Sequence, residues 1–351
     1  MRILNLMLSK GLGGLEQVFL DYNNLLNNYS DIEMHNCISY NANIQNQFQN
    51  KTECNSNLQT KSSLHLILNV FGSHDIIAKI QLKLISNSIK PDVIIAHGRR
   101  AIKFAKFIKS NNTKLIAICH DYYKKSDFNK CDNIIALTEH MRQYLIQNNI
   151  SEKIISIIPN MIEINHDYYE KSFHNPIVIG AMGRFAKTKG IDVFIQALSI
   201  LKNKGYEFKA VIAGDGPEKK SLINLSSQLD INDNISFLGW IKNKRSFFDA
   251  IDIFCVPSRH EPFGIIILEA MLYCANVIVT NAQGPSEIIQ NKIDGMIAKI
   301  DSPSDLSNYI EYLINNPTIA SQYKRKAFNK LKNNYSSEVI GQILYKFLIN
   351  L

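Results

Sequence analysis

A chain of 351 residues, 46% apolar and 20% charged, is too apolar for a disordered or fibrous protein and long enough that two globular domains are expected. The formal net charge of +8 points to anionic partners such as nucleotides, nucleic acid or acidic lipid, without choosing among them. No stretch approaches the roughly 18 consecutive apolar residues of a membrane span, and the six cysteines form no Cys-x-x-Cys pair. Buried reduced thiols and a cytoplasmic setting are therefore expected, with contact at the inner face of the cell membrane left open.

Segment 2–8 is an apolar strand that runs into Gly11, Gly13 and Gly14. A helix follows, in which Leu15, Val18, Phe19, Tyr22, Leu25, Leu26 and Tyr29 recur at a period of 3.6 residues. Strand, glycine turn and helix open a nucleotide-binding type of unit, although the full G-x-G-x-x-G is absent. Residues 41–61 are rich in Asn and Gln and are expected to form a loop or an insertion. Strands are expected over 64–70, 91–97, 114–119, 134–137 and 154–158, and helices over 73–88, 99–109 and 139–147, the last capped by Thr138. His97 and His120 stand at strand ends. Helix 99–109 is amphipathic: Arg99, Arg100, Lys103, Lys106 and Lys109 line one side, Ala101, Ala105 and Ile108 the other. A solvated face is the plain reading, and contact with anionic lipid or an acceptor the sharper one.

Residues 165–175 are polar and non-periodic, as a linker would be. The pattern then restarts. Strands are expected over 177–182, 209–213, 235–238, 253–256 and 277–280, with helices between them and a helical tail from Ser304, interrupted near Pro317. Asp215 is expected to cap a helix whose first turn holds Pro217. Two runs of strand–helix alternation imply two parallel-sheet α/β domains, residues 1–165 and 166–335. Ligands in such folds bind beyond the carboxyl ends of the strands, and a cleft between the domains would collect the strand-end residues.

The most informative stretch is Glu261-Pro-Phe-Gly-Ile-Ile-Ile-Leu-Glu269. Pro262 keeps Glu261 extended, and Gly264 permits close approach of a ligand to the backbone before a buried helix begins. Glu261, Phe263, Gly264, Ile265 and Glu269 thus supply a loop carboxylate, bare helix-start N–H groups and a second carboxylate on the helix. Sugar hydroxyls suit carboxylate acceptors, and phosphates suit helix N-termini. Departure of a diphosphate from a nucleotide-sugar also needs fixed positive charge. Arg184 and Lys189, on the loop from Gly183 to Gly190, can provide it. No Asp-x-Asp triplet occurs, so no metal is expected. His120 is a candidate for the donor sugar or for the acceptor proton.

These residues resemble the large retaining glycosyltransferase family 4. Glu261 to Glu269 looks like its E-x7-E signature, Gly183-Arg184 with Lys189-Gly190 like its diphosphate loop, Gly13-Gly14 like its N-terminal glycine loop, and His120-Asp121 like its N-domain histidine site. The resemblance implies a GT-B fold: two Rossmann-like domains facing a cleft, the first for the acceptor and the second for the donor, with residues 336–351 returning as a helix onto the first. It implies transfer of a hexose, with retention, from a nucleoside diphosphate donor (UDP by family weight) to a glycan or lipid-linked acceptor of surface polysaccharide or lipopolysaccharide. Arg184 and Lys189 would bind the diphosphate, Glu269 the ribose and Glu261 the sugar, with backbone contacts from Phe263 and Gly264. Two other classes compete. A catalytically weak homologue in a glycan-assembly complex would bind nucleotide without turnover. A nucleic-acid-binding protein would need an aromatic–basic module that the sequence lacks.

Overall fold

The computed structural model describes residues 1–9, 11, 13–40, 42, 62–67, 72 and 75–351. The Asn/Gln-rich stretch 41–61, Ala42 excepted, lies outside the described residues. So do the end of the strand expected over 64–70 and the start of the helix expected over 73–88. The chain forms two units, Met1–Met161 with Ser337–Leu351, and Ile162–Ser336.

In the first unit, near-continuous apolar segments become strands buried on both faces, as parallel strands must be. The elements are β1 (Arg2–Met7), α1 (Gly14–Leu26), β2 (Glu33–Ser39), β3 (Ser62–Ile67), α2 (Ile76–Ile89), β4 (Val93–His97), α3 (Gly98–Ile108), β5 (Lys114–Cys119), β6 (Asn133–Ala136), α4 (Glu139–Gln147) and β7 (Ile155–Ile157). All strand pairs are parallel, in the order β3-β2-β1-β4-β5-β6-β7. Thr138 caps α4, its Oγ1 accepting from the Met141 N–H at 3.1 Å.

Strand β2 has no counterpart in the sequence pattern, and its interior explains why. Asn36 is fully buried yet polar. It is satisfied because its Oδ1 accepts from Asn5 Nδ2 at 3.0 Å and its Nδ2 donates to Asn23 Oδ1 at 2.6 Å. A polar network inside a sheet removes the apolar run by which a strand is recognised.

The second unit comprises β8 (Ile177–Met182), α5 (Ile191–Asn203), β9 (Phe208–Ala213), α6 (Lys219–Gln228), β10 (Ile235–Gly239), α7 (Lys244–Asp249), β11 (Ile253–Val256), α8 (Ile265–Leu272), β12 (Asn276–Thr280), α9 (Pro285–Ile288), β13 (Met296–Ala298), α10 (Pro303–Asn315) and α11 (Pro317–Asn334). The sheet is again parallel, ordered β10-β9-β8-β11-β12-β13. Pro285, Pro303 and Pro317 each start a helix, where a missing N–H costs nothing. Asp215 does not cap α6, which starts later with Glu218 as N-cap. Its carboxylate instead accepts from the Gly216 N–H at 2.7 Å and pairs with Lys219 at 2.8 Å. Residues 165–175, expected as a linker, are irregular and anchored within the second unit: Tyr169 donates to Asp249 at 3.0 Å and Lys171 to the Phe248 carbonyl at 2.7 Å.

The terminal helix α12 (Ser337–Ile349) belongs to the first unit. Tyr345 stacks on Tyr29 of the segment after α1, with ring centroids 4.0 Å apart, and its hydroxyl donates to Asp31 at 2.9 Å. Gly341 lets α12 approach closely, because a Cβ there would lie 2.8 Å from Leu25 Cδ1 of α1.

Candidate functional site

In each sheet the strand order reverses beside the unit's first strand, between β1 and β4 and between β8 and β11. A crevice opens beyond the carboxyl ends at such a point. In the second unit the loops leaving β8 and β11 carry Arg184, Lys189 and Glu261, and the latter loop leads into α8 with Glu269.

The loop after β8 is fixed by backbone bonds and by a buried ring. Gly183 N–H donates to Ala213 O at 3.0 Å and Phe185 N–H to Asp215 O at 2.9 Å, while the Phe185 ring is fully buried in the core. With Phe185 held inside, Arg184 is left exposed. A turn over Lys187–Lys189 follows and ends at Gly190, which starts α5 with φ of 64°. A Cβ at Gly190 would lie 1.9 Å from Pro257 O, so both the left-handed backbone and the close approach to the β11 loop require glycine.

Arg259 stitches the two loops together. Its guanidinium grips Asp192 with two bonds of 2.8 and 2.6 Å, donates to Lys187 O at 2.6 Å and pairs with Asp301 at 2.6 Å. The Arg259 and His260 N–H groups both donate to Thr188 O, at 2.9 and 3.1 Å. The bonds to Asp192, opposed by partial burial and reinforced by Asp301, hold the Arg259 pKa above its ordinary value. Nothing in the sequence spacing marks Arg259, whose partners lie 67 and 42 residues away.

This stitching brings Lys189 Nζ to 2.6 Å from Glu261 Oε2. Beyond Glu261, Gly284 N–H donates to Glu261 O at 2.9 Å. A Cβ on Gly284 would lie 2.4 Å from Phe263 Cα, so the Pro-Phe-Gly turn is seated tightly on the segment before α9. Phe263 is buried and meets Tyr335 edge-on. Gly264 takes φ of 98° as the N-cap of α8. Ile265 is then the first helical residue, and the opening N–H groups of α8 have no intrahelical acceptor. Glu269 stands four residues on from Ile265, on the same helical face. It is 7% exposed. Its Oε1 accepts from Lys244 Nζ at 2.5 Å, and its Oε2 is buried with no hydrogen-bond partner among the described residues. Burial raises the Glu269 pKa, and Lys244 offsets part of that rise. A buried carboxylate oxygen aimed at no protein donor is suited to a ligand hydroxyl. Lys244 is a second residue the sequence reading missed.

The first unit carries the other expected residues. Gly13 and Gly14 are exposed at the start of α1, Gly13 in extended conformation as N-cap. His120, at the end of β5, contacts His97 at the end of β4, with Nε2···Nδ1 at 3.4 Å. Hydrogen-bond direction sets both tautomers. Asn5 Nδ2 faces the Phe19 carbonyl at 3.3 Å, which can only accept. Asn5 Oδ1 must therefore accept from His97 Nε2 at 2.9 Å. His97 Nδ1 is left to accept from His120 Nε2–H, and His120 presents Nδ1 as a lone pair. Burial lowers the His120 pKa to about 4 and that of His97 well below its ordinary value, so both rings are neutral at pH 7. Among the described residues, no group of three or more His, Cys, Asp or Glu side chains is placed to hold a metal ion.

Comparison with known proteins identifies the family and the fold. A family model described as glycosyl transferases group 1 matches residues 166–330, and one described as glycosyltransferase family 4 matches 51–166. The lipopolysaccharide core biosynthesis glycosyltransferase LpsE of Rhizobium meliloti is 25% identical over 280 residues, 78% of this chain and 80% of its own. The capsular polysaccharide biosynthesis glycosyltransferase CapM of Staphylococcus aureus is 27% identical over 228 residues, 60% of each chain. The crystal structure of Anabaena Alr3699/HepE in complex with UDP and glucose superposes with a TM-score of 0.81, at 21% identity and over 100% of both chains. Two parallel α/β sheets of seven and six strands, matched across both units by these models and by a solved neighbour, place the chain in the group 1, family 4 glycosyltransferases of GT-B fold.

Proposed function

We propose that the protein transfers a hexose from a nucleoside diphosphate donor, UDP by preference, to a glycan or lipid-linked acceptor in the assembly of a surface polysaccharide or lipopolysaccharide. The observation that carries this reading is the buried Glu269 Oε2, without a hydrogen-bond partner among the described residues, on the helix that begins at the Glu261 loop. A nucleoside supplies the missing donors, because the two ribose hydroxyls can both point at one carboxylate. The HepE structures hold UDP, glucose or UDP-glucose, which supports uridine and a hexose. LpsE and CapM are described as lipopolysaccharide-core and capsular enzymes, which supports the acceptor class.

In this reading Arg184 and Lys189, with the first N–H groups of α8, hold the diphosphate, and Glu261 holds sugar hydroxyls. The bond from C1 to the phosphate oxygen breaks as the bond from C1 to the acceptor oxygen forms on the same face of the sugar. The acceptor proton passes to the departing phosphate oxygen, and the nucleoside diphosphate leaves. The positive charge needed there comes from Arg184 and Lys189, with no metal assigned to the step. His120, in the first unit and neutral with Nδ1 as acceptor, is suited to take a hydrogen bond from an acceptor hydroxyl.

Stereochemistry tests the proposal. With α-linked UDP-glucose and an accepting glycan, or water in slow hydrolysis, the first sugar product seen by proton NMR is expected to be the α-anomer. A β-anomer formed first means that the bonds break and form on opposite faces, and the same-face step is wrong.

A further inference from the structure

We propose that the exposed face of α2 is a docking surface for an anionic lipid bilayer. Helix α2 is apolar on two opposite sides. Ala78, Leu82 and Ile89 are buried against the first unit. Ile76, Ile77, Ile80 and Leu84 form a second stripe, and they are 70%, 68%, 53% and 64% exposed. A helix with a second apolar side calls for an apolar surrounding there as well, and four large aliphatic side chains in water on one stripe mark an interaction surface. Phe107 of the neighbouring α3 extends the stripe at 52% exposure, with Lys79 Nζ 5.8 Å from its ring centroid.

Charge selects the occupant. Helices α2 and α3 hold six Lys and Arg and no Asp or Glu. Residues 75–130 hold twelve Lys and Arg against four Asp, an excess equal to the net charge of the whole chain, +8. The cations expected to touch lipid are mostly engaged by the protein itself. Arg99 pairs with Asp127 at 2.8 Å, Arg100 donates to Leu8 O at 3.1 Å, and Lys106 donates to Ser126 O and Asp127 O, both at 3.1 Å. Lys79 and Lys83 border the α2 stripe on its α3 side, Lys79 Nζ 5.8 Å from both the Phe104 and Phe107 ring centroids and Lys83 donating to Ile108 O at 3.5 Å, longer than the bonds that hold Arg100 and Lys106. An aliphatic stripe with a lysine border on one side and Asn87 at its C-terminal end fits acyl chains below and phosphate headgroups at the rim. A second copy would set like charges against one another.

The test uses the full chain, sedimented with vesicles of phosphatidylcholine alone or with phosphatidylglycerol added. Binding to the anionic vesicles only is expected. It should fall by at least about tenfold in Ile77→Glu with Ile80→Glu, and also in Lys79→Glu with Lys83→Glu. Both variants should melt like the wild type and keep their stabilisation by UDP, so failure here is distinct from failure of the donor-site reading. Undiminished vesicle binding in the glutamate variants overturns the proposal. So does a wild-type dimer that they convert to monomer, which assigns the stripe to a second copy. Unfolding of both Ile77→Glu/Ile80→Glu and a separate Ile76→Glu/Leu84→Glu variant also overturns it, because the stripe is then core.

Discussion

Arg184→Ala is expected to slow glycosyl transfer by about 10²–10³-fold while leaving the melting temperature unchanged. Arg184 is exposed and has no ion pair among the described residues, so its removal leaves no buried group unpaired. The loop is held by the Phe185 ring and by the backbone bonds of Gly183 and Phe185, not by the guanidinium. What the variant loses is fixed positive charge where the diphosphate gains negative charge. Lys189→Ala should behave differently. Lys189 neutralises Glu261 at 2.6 Å, and the Glu261 side chain is only 13% exposed. Taking the lysine away leaves that carboxylate unpaired, at about 1–2 kcal/mol of stability, besides slowing transfer. Measuring melting and turnover for both variants separates the two roles. Equal destabilisation by both substitutions is incompatible with an unpaired Arg184.

Glu269→Gln is expected to make the free protein more stable and its nucleotide affinity about 10–10²-fold lower. The carboxylate is buried, with Lys244 as its one hydrogen-bond partner among the described residues. Burial raises its pKa against the partial compensation of Lys244. The folded state therefore holds this proton to higher pH than the unfolded chain does. Its contribution to stability is fully present below the unfolded carboxylate pKa and is lost as pH rises through the folded value. At neutral pH the folded protein carries the full desolvation cost, which glutamine removes. The ribose hydroxyls would then meet an amide with one acceptor in place of two. Denaturant titrations across the acid range should show stability falling with pH in the wild type by more than in Glu269→Gln. A variant less stable than the wild type at neutral pH, with unchanged affinity for UDP, contradicts both halves of the expectation.

The parts of the fold legible in the sequence are those written locally. Parallel strands such as 177–182 and 253–256 are continuous apolar runs because both faces are buried, and they end where Gly183 and Pro257-Ser258 begin loops. The residues proposed for the donor are legible for the same reason: Arg184 with Lys189, and Glu261 with Glu269, each lie within nine positions of one another. What escaped depends on distant pairing. Strand β2 conceals itself behind Asn36, which is tolerable inside the sheet only because Asn5 and Asn23 complete its hydrogen bonds. Strand β13, three residues long, is defined by its pairing with β12 rather than by a pattern of its own. Arg259 resembles any loop cation until Asp192 and Asp301 converge on it. Lys244 lies 25 residues from Glu269. Asp215 misled because the helix start was set by Glu218, three residues later.

The central claim is that the second unit binds the nucleoside diphosphate of a donor through Arg184, Lys189 and Glu269. Thermal unfolding with UDP, GDP, ADP and CMP measures it directly, on the wild type and on Arg184→Ala combined with Lys189→Ala. At about 100 times its dissociation constant, UDP should add roughly 2.7 kcal/mol to the wild type and far less to the double variant. Stabilisation of both proteins alike, or of neither by any of the four nucleotides at millimolar concentration, would contradict it.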